Sequence, residues 1–203
     1  MTGKTHATAG ALFGVLFAEQ IVEQTFANGN DNVVVSAAGV IASVIGASVL
    51  GSLLPDIDID GSAISKFLFP FRLVYRILGA IFKEFKIHWF KHRGLTHTLL
   101  IPVLGFVFAC LFVRQTPEAY SAYSFYVACG VAVGALSHLL LDAMNPTGVP
   151  VLAPFTKRNI HIMPKFMCIT TGSGVEKFFF AILLIGTIGY SCYCGYGWWS
   201  ILH

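Results

Sequence analysis

AYSAYSFYVACGVAVGALSHLLLDAM, Ala119 to Met144, is a run of 26 residues in which every side chain except His138 and Asp142 is apolar, small and polar, or an aromatic hydroxyl. A helix needs about 20 mostly apolar residues to cross the hydrocarbon of a bilayer, and this run is longer than that. His138 and Asp142 stand at i and i+4, so a helix puts both on one face. An imidazole and a carboxylate at membrane depth must face a bundle interior or a watery cavity and find partners there. The run therefore predicts a membrane fold with a functional site at one end.

Working outward, the whole chain has the composition of a membrane protein. Of its 203 residues, 56% are hydrophobic and only 11% charged, with a mean hydropathy of +0.73. Soluble domains carry roughly 25% charged residues to cover their surface. The expected fold class is an all-α integral membrane protein, residues 1–203 forming one helical domain. Five segments are expected to cross: His6 to Phe26, Val33 to Leu54, Thr96 to Val113, Ala119 to Met144 and Phe178 to Leu202. The first is strongly apolar only from Ala7 to Ala18, before Glu19 and Glu23, and the third is short and contains Pro102. Tilting, local thinning of the bilayer or shielding by neighbours would accommodate both. Lys4 is the only early positive charge and no small-residue cleavage site precedes the next apolar run, so the first segment is expected to remain rather than be removed as a signal peptide.

Five crossings from a cytoplasmic N-terminus place every one of the 13 lysines and arginines except Arg114 on one side, which the positive-inside rule makes cytoplasmic. That side then holds a connector, residues 55–95, and a loop, residues 145–177. Within the connector, Ser62 to His92 predicts a basic amphipathic helix. Its charges at Arg72, Arg76, Lys83 and Lys86 fall near one stripe, and Phe71, Val74, Ile77, Leu78, Ile81, Phe82 and Phe85 supply apolar surface. Such a helix either lies in the headgroup layer and attracts anionic lipid, or rests on the bundle as a plain connector. Gly94 is expected to end it and Thr96 to cap the next helix. The polar stretch at residues 28–32 reads as a tight turn between crossings. The five cysteines show no CxxC spacing and are assigned to packing. No feature indicates a nucleic-acid partner.

The topology gathers the chemistry at the cytoplasmic end. His6 begins the first helix, Leu53-Leu54-Pro55-Asp56-Ile57-Asp58 closes the second, His92-Arg93-Gly94-Leu95-Thr96-His97 opens the third, and His138 and Asp142 occupy the last two turns of the fourth. Imidazole with carboxylate is the ligand set of zinc, manganese or non-haem iron. The candidate metal ligands are His6, Asp56, Asp58, His92, His97, His138 and Asp142, more than the four of a closed structural zinc site. Two or three divalent ions, zinc in the first instance, fit that number. Each group also has a plainer explanation: Asp56 and Asp58 can simply end a helix, and His92 and His97 can flank a turn. Arg93 is no ligand, because it stays protonated; its fork suits a phosphate or carboxylate oxygen, or it snorkels to the interface. His88, His161 and Glu176 are further candidates, the last two as an added ligand or general base.

An early histidine, then LLPDID, HRGLTHT and SHLLLDAMNPTGVPVLAPF, resembles the YdjM-type family of bacterial inner-membrane, metal-dependent hydrolases, from His6 to about Glu176. The resemblance implies an inner-membrane location and catalytic metal held by the residues named above. The family often places a further histidine directly after the Pro-Asp-x-Asp unit; Ile59 stands there in this chain. A looser likeness to the zinc-dependent phospholipase C and nuclease group, carried by His138 and Asp142 alone, suggests phosphoester chemistry.

The function expected is thus a multi-pass, metal-dependent hydrolase with a cytoplasmic-facing site. It would act on a phosphoester, preferably of a lipid headgroup, with membrane lipids as partners and Asp58, Glu176 and Arg93 as catalytic residues. A metal-ion transporter, or a non-catalytic scaffold or sensor stapled by metal, are the rival readings.

Overall fold

The computed structural model describes residues 1–26, 37–84, 94–115, 118–153, 155–156 and 158–202. Among these described residues seven α-helices succeed one another: α1 (Gly3–Phe26), α2 (Ala37–Leu53), α3 (Ala63–Phe67), α4 (Phe69–Glu84), α5 (Leu100–Val113), α6 (Glu118–Asp142) and α7 (Gly174–Leu202). Among the described residues there is no named strand, only one antiparallel bridge between Val149 and Ile160. The expected all-α fold is what the chain adopts.

Helix α2 lies at the centre, packed most extensively on α6 and then on α1, while α7 leans on α1 and α5 on α6. Glycine makes these approaches possible. A Cβ added at Gly51 of α2 would lie 2.9 Å from the Val131 Cα, and one added at Gly130 of α6 would lie 2.8 Å from the Val44 carbonyl oxygen. On α1, a Cβ at Gly14 would meet the Ile45 Cα at 2.9 Å. Small residues at helix contacts are the usual means of close packing in a bilayer, where no hydrophobic effect drives helices together. Apolar side chains fill in around them. At the end away from the candidate site, Ala18, Ile21 and Val44 are buried beneath Phe17, Tyr126 and Trp198. At the near end, the loop after α6 folds back so that Val149 packs on Leu139 and Ala143.

The outward faces have the opposite character. Val103, Leu104, Val107 and Leu111 on α5 and Ile182, Ile185 and Ile188 on α7 are all exposed. Surface of that extent is unstable against water and suits lipid. Three helical stretches, Ala38–Asp58, Tyr123–Asp142 and Gly174–Trp198, are long and apolar enough to cross a membrane. The expected count of five is not confirmed. Helix α1 has the length, 24 residues, but contains Lys4, Glu19 and Glu23. Helix α5 has only 14 residues, and at 1.5 Å per residue it reaches about 21 Å of the roughly 30 Å hydrocarbon. Pro102 lies in its first turn, where proline is tolerated.

The described part of the connector is helical and amphipathic, but in two pieces, α3 and α4, broken at Leu68, rather than one helix from Ser62. Its α4 exposes Phe71, Val74, Ile77 and Ile81, while Arg72 and Arg76 both pair with Asp60. Part of the basic stripe is therefore neutralised within the connector itself. Lys86, His88, His92 and Arg93, with the helix end assigned to Gly94, lie outside the described residues or border them.

Candidate metal centre

The candidate ligands meet where α1 begins and α2 and α6 end. His6 sits in the first turn of α1. Past the end of α2, a 3-10 turn, Leu54–Asp58, takes Pro55 in its first positions, where the missing N–H costs nothing, and delivers Asp56 to the bundle. A second 3-10 turn, Leu95–His97, delivers His97. His138 and Asp142 come from the last two turns of α6, and all five side chains are buried.

Distances between their polar atoms are short. His138 Nε2 lies 3.3 Å from His97 Nε2, 3.7 Å from Asp56 Oδ1 and 3.8 Å from Asp142 Oδ2. His97 Nε2 lies 3.6 Å from Asp142 Oδ2 and 3.8 Å from Asp56 Oδ1. The His6 ring stacks on that of His138 at a centroid distance of 3.7 Å, with His6 Nε2 3.2 Å from Asp142 Oδ1. The second Asp142 oxygen thus faces His97 and His138, while the first also accepts from Asn145 Nδ2 at 2.9 Å and from the Met1 amino group at 2.7 Å.

The neighbours fix which ring nitrogens hold protons. His138 Nδ1 is 2.7 Å from the Ser52 carbonyl oxygen, which can only accept, so Nδ1 is the protonated nitrogen. Thr96 gives its hydroxyl proton to Asp58 Oδ2 at 3.3 Å, which leaves its oxygen to accept from His97 Nδ1 at 3.0 Å. A neutral ring with its proton on Nδ1 presents Nε2 as an acceptor. The two Nε2 atoms face each other at 3.3 Å with two carboxylates around them, an arrangement that a shared proton or a cation can bridge. His6 Nδ1, also buried, has no hydrogen-bond partner among the described residues. The donor set fits a divalent ion. Among the described residues, two trios bring ligand atoms within 4.8 Å of one another: His6, His138 and Asp142, and Asp56, His97 and His138.

Residues 1–199 match the family described as YdjM inner membrane protein. The chain belongs to this family. Over 97% of its length it is 28% identical to the uncharacterized protein YvsG of Bacillus subtilis strain 168, 95% of which is covered. Over 55% of its length it is 35% identical to the inner membrane proteins YdjM of Escherichia coli K12 and of Shigella flexneri. The matched region covers 49% of each, so the chain spans about half the length of those two relatives. No solved structure matches. The YdjM-family match runs through the whole cluster from His6 to Asp142 and, with the apolar helices, makes this a membrane protein with buried His and Asp groups that could hold metal.

Other residues singled out in this YdjM-family sequence fall around the centre. Asp58 lies outside both trios and stands behind Thr96. On α4, burial and then the Asp58 charge push the Tyr75 phenol up to about 12, so it stays neutral beside that carboxylate. Glu176 is buried at the start of α7, where it accepts hydrogen bonds from the Thr2 amide, the Thr5 hydroxyl and the Gly172 amide. His161 is exposed, 2.9 Å from the Pro146 carbonyl oxygen, with its ring over Gly148. His92 and Arg93, expected as ligand and anion-binding group, lie outside the described residues. Thr96 is not the helix cap expected of it: α5 starts only at Leu100, because Thr98 is extended, and the hydroxyl engages Asp58 and His97 instead. The orienting roles of Thr96, Ser52 and Asn145 were not read from the sequence. The one available signal was their spacing, each one to four residues from a candidate ligand.

Proposed function

We propose that the protein is a membrane-bound, metal-dependent hydrolase of phosphoesters. The observation that supports it most is the meeting of the Nε2 atoms of His97 and His138 with Asp56 and Asp142 at a buried helix end. His6, His97, His138, Asp56 and Asp142 would hold the ion. A divalent cation there supplies Lewis acidity and lowers the pKa of water. One imidazole nitrogen has one lone pair, so His138 serves a single ion; a second ion needs a bridging carboxylate, and a third needs donors beyond these five. Zinc suits the nitrogen and oxygen donors.

The chain's own groups then divide the work. Asp58, through Thr96, holds the His97 ring in the tautomer that presents Nε2, and the Ser52 carbonyl does the same for His138. Asp56, the more exposed of the two ligand carboxylates at 8%, would face substrate and accept a proton from attacking water. Glu176, already accepting three donors, positions the N-terminal segment that bears His6.

The zero exposure of His97 and His138 favours a second reading, an ion that only staples helix ends. One experiment tests both. Protein purified in detergent is assayed for bound metal and for cleavage of bis(4-nitrophenyl) phosphate, as wild type and as Asp142→Asn. The hydrolase reading expects stoichiometric metal and turnover that disappears in a still-helical variant. Bound metal with no turnover on any phosphoester would leave the staple.

A further inference from the structure

A cavity of about 840 Å³ opens beside the centre, far more room than an ion needs and within the roughly 300–1,000 Å³ of pockets that enclose a small molecule. Its wall is chiefly carbon, from residues such as Leu53, Ile59, Ile64 and Phe180. Asp56 belongs both to this wall and to the metal-ligand cluster. Lys4 and Lys177, both exposed, also line it, as does Glu176, whose carboxylate is taken up by the Thr2 amide, the Thr5 hydroxyl and the Gly172 amide.

Depth narrows the choice of occupant. The candidate span Ala38–Asp58 ends in the cavity wall and the span Gly174–Trp198 begins there. Span ends mark the level at which hydrocarbon gives way to headgroups. A water-soluble metabolite gains nothing from a carbon-lined seat at that level, whereas a lipid keeps its chain in apolar surroundings and its headgroup among charges.

We propose that this cavity seats a lipid phosphoester, its anionic headgroup between Lys4, Lys177 and the His/Asp centre and its carbon chain against Ile59, Ile64 and Phe180. The two ammonium groups complement the headgroup charge, as clustered basic residues do at membrane surfaces. Cleavage of the seated lipid rests on the hydrolase reading; its binding is measurable without turnover.

The test uses the full chain in nanodiscs of phosphatidylcholine doped with a phosphatidic acid that has a diazirine in one acyl chain. Photolysis and peptide mass spectrometry are expected to find label in residues 56–64 and 176–180. Two variants probe the site: Ala63→Trp, which fills the cavity, and Lys4→Glu with Lys177→Glu, which reverses charge at exposed positions. Each is expected to lower labelling roughly tenfold, equivalent to about 1.4 kcal/mol, with bound metal unchanged. Unlabelled phosphatidic acid should compete and glycerol 3-phosphate should not. Labelling that survives in both variants overturns the proposal, and so does displacement by glycerol 3-phosphate, which would make this a site for soluble phosphate. Labelling without cleavage keeps the lipid seat and removes the hydrolase reading; cleavage of bis(4-nitrophenyl) phosphate with no labelling does the reverse.

Discussion

Replacing Gly134 with alanine tests whether the closeness of α2 and α6 is what builds the centre. A Cβ on Gly134 would lie 2.7 Å from the Ser48 carbonyl carbon and 2.8 Å from the Ser52 nitrogen, and closer still to the Ser48 carbonyl oxygen. These are backbone atoms and cannot rotate away. Non-bonded heavy atoms rest at about 3.5 Å or more, so the helices must part by at least about 0.8 Å. His138 lies one turn further along α6, with its Nδ1 2.7 Å from the Ser52 oxygen. The same displacement lengthens that bond to about 3.5 Å, past the roughly 3.2 Å limit of a good N–H···O bond. Overpacking of this kind costs about 1–3 kcal/mol of stability. Loss of an orienting partner costs about 10–100-fold in metal affinity. Thermal unfolding in detergent and competitive metal titration measure the two effects. Gly189→Ala on α7, with nothing within 4 Å of the new Cβ, is the control and should be neutral or slightly stabilising. If Gly134→Ala melts and binds metal like the wild type, α6 does not approach α2 this closely and Ser52 does not hold His138.

Thr96→Val removes the hydroxyl between Asp58 and His97 at similar volume; metal affinity should fall about 10–100-fold in a competitive titration and recover in Thr96→Ser. Glu176→Gln weakens charge-assisted bonds from Thr2, Thr5 and Gly172 and should lower stability by roughly 1.5–3 kcal/mol in denaturant melts, with metal stoichiometry at saturation unchanged. A lower stoichiometry would put Glu176 among the ligands. Chelation should lower the unfolding midpoint, since an ion at a hundred times its dissociation constant adds about 2.7 kcal/mol to the folded state. An unmoved midpoint would take the ion out of the fold.

The helical fold and most of the centre were legible because hydropathy and ionisable residues are sharp signals in a bilayer. His138 and Asp142 could be assigned to one face from spacing alone, and the end of the bundle at which His6, Asp56 and His97 join them came from counting crossings. What stayed hidden depended on short irregular backbone. Whether Asp56 or Asp58 points inward turns on the 3-10 geometry of Leu54–Asp58, which places one in the cluster and the other behind Thr96. No periodicity distinguishes those two carboxylates. The count of five spans is unconfirmed for a related reason: α5 is strongly apolar, but hydropathy does not say that a 14-residue helix starts late, after an extended Thr98.

A signal that was present and unread links packing to chemistry. On α6, Gly130, Gly134, His138 and Asp142 recur at intervals of four; on α1, His6, Gly10, Gly14 and Ala18 do the same; on α2 and its 3-10 extension, so do Val44, Ser48, Ser52 and Asp56. Every one of these positions is buried. Residues four apart form one ridge of a helix, and ridges of small side chains let two backbones come together. Each ridge ends in a ligand at the same end of the bundle. Small residues and ligands on one ridge are mutually dependent: backbones held apart by larger side chains would leave the imidazoles and carboxylates too far apart to share an ion. A histidine or aspartate that continues a four-residue ridge of glycine, alanine and serine is thus marked as an inward-facing ligand. That criterion selects His6, Asp56, His138 and Asp142, sets Asp58 aside, and fails only for His97, which arrives on a turn rather than a helix.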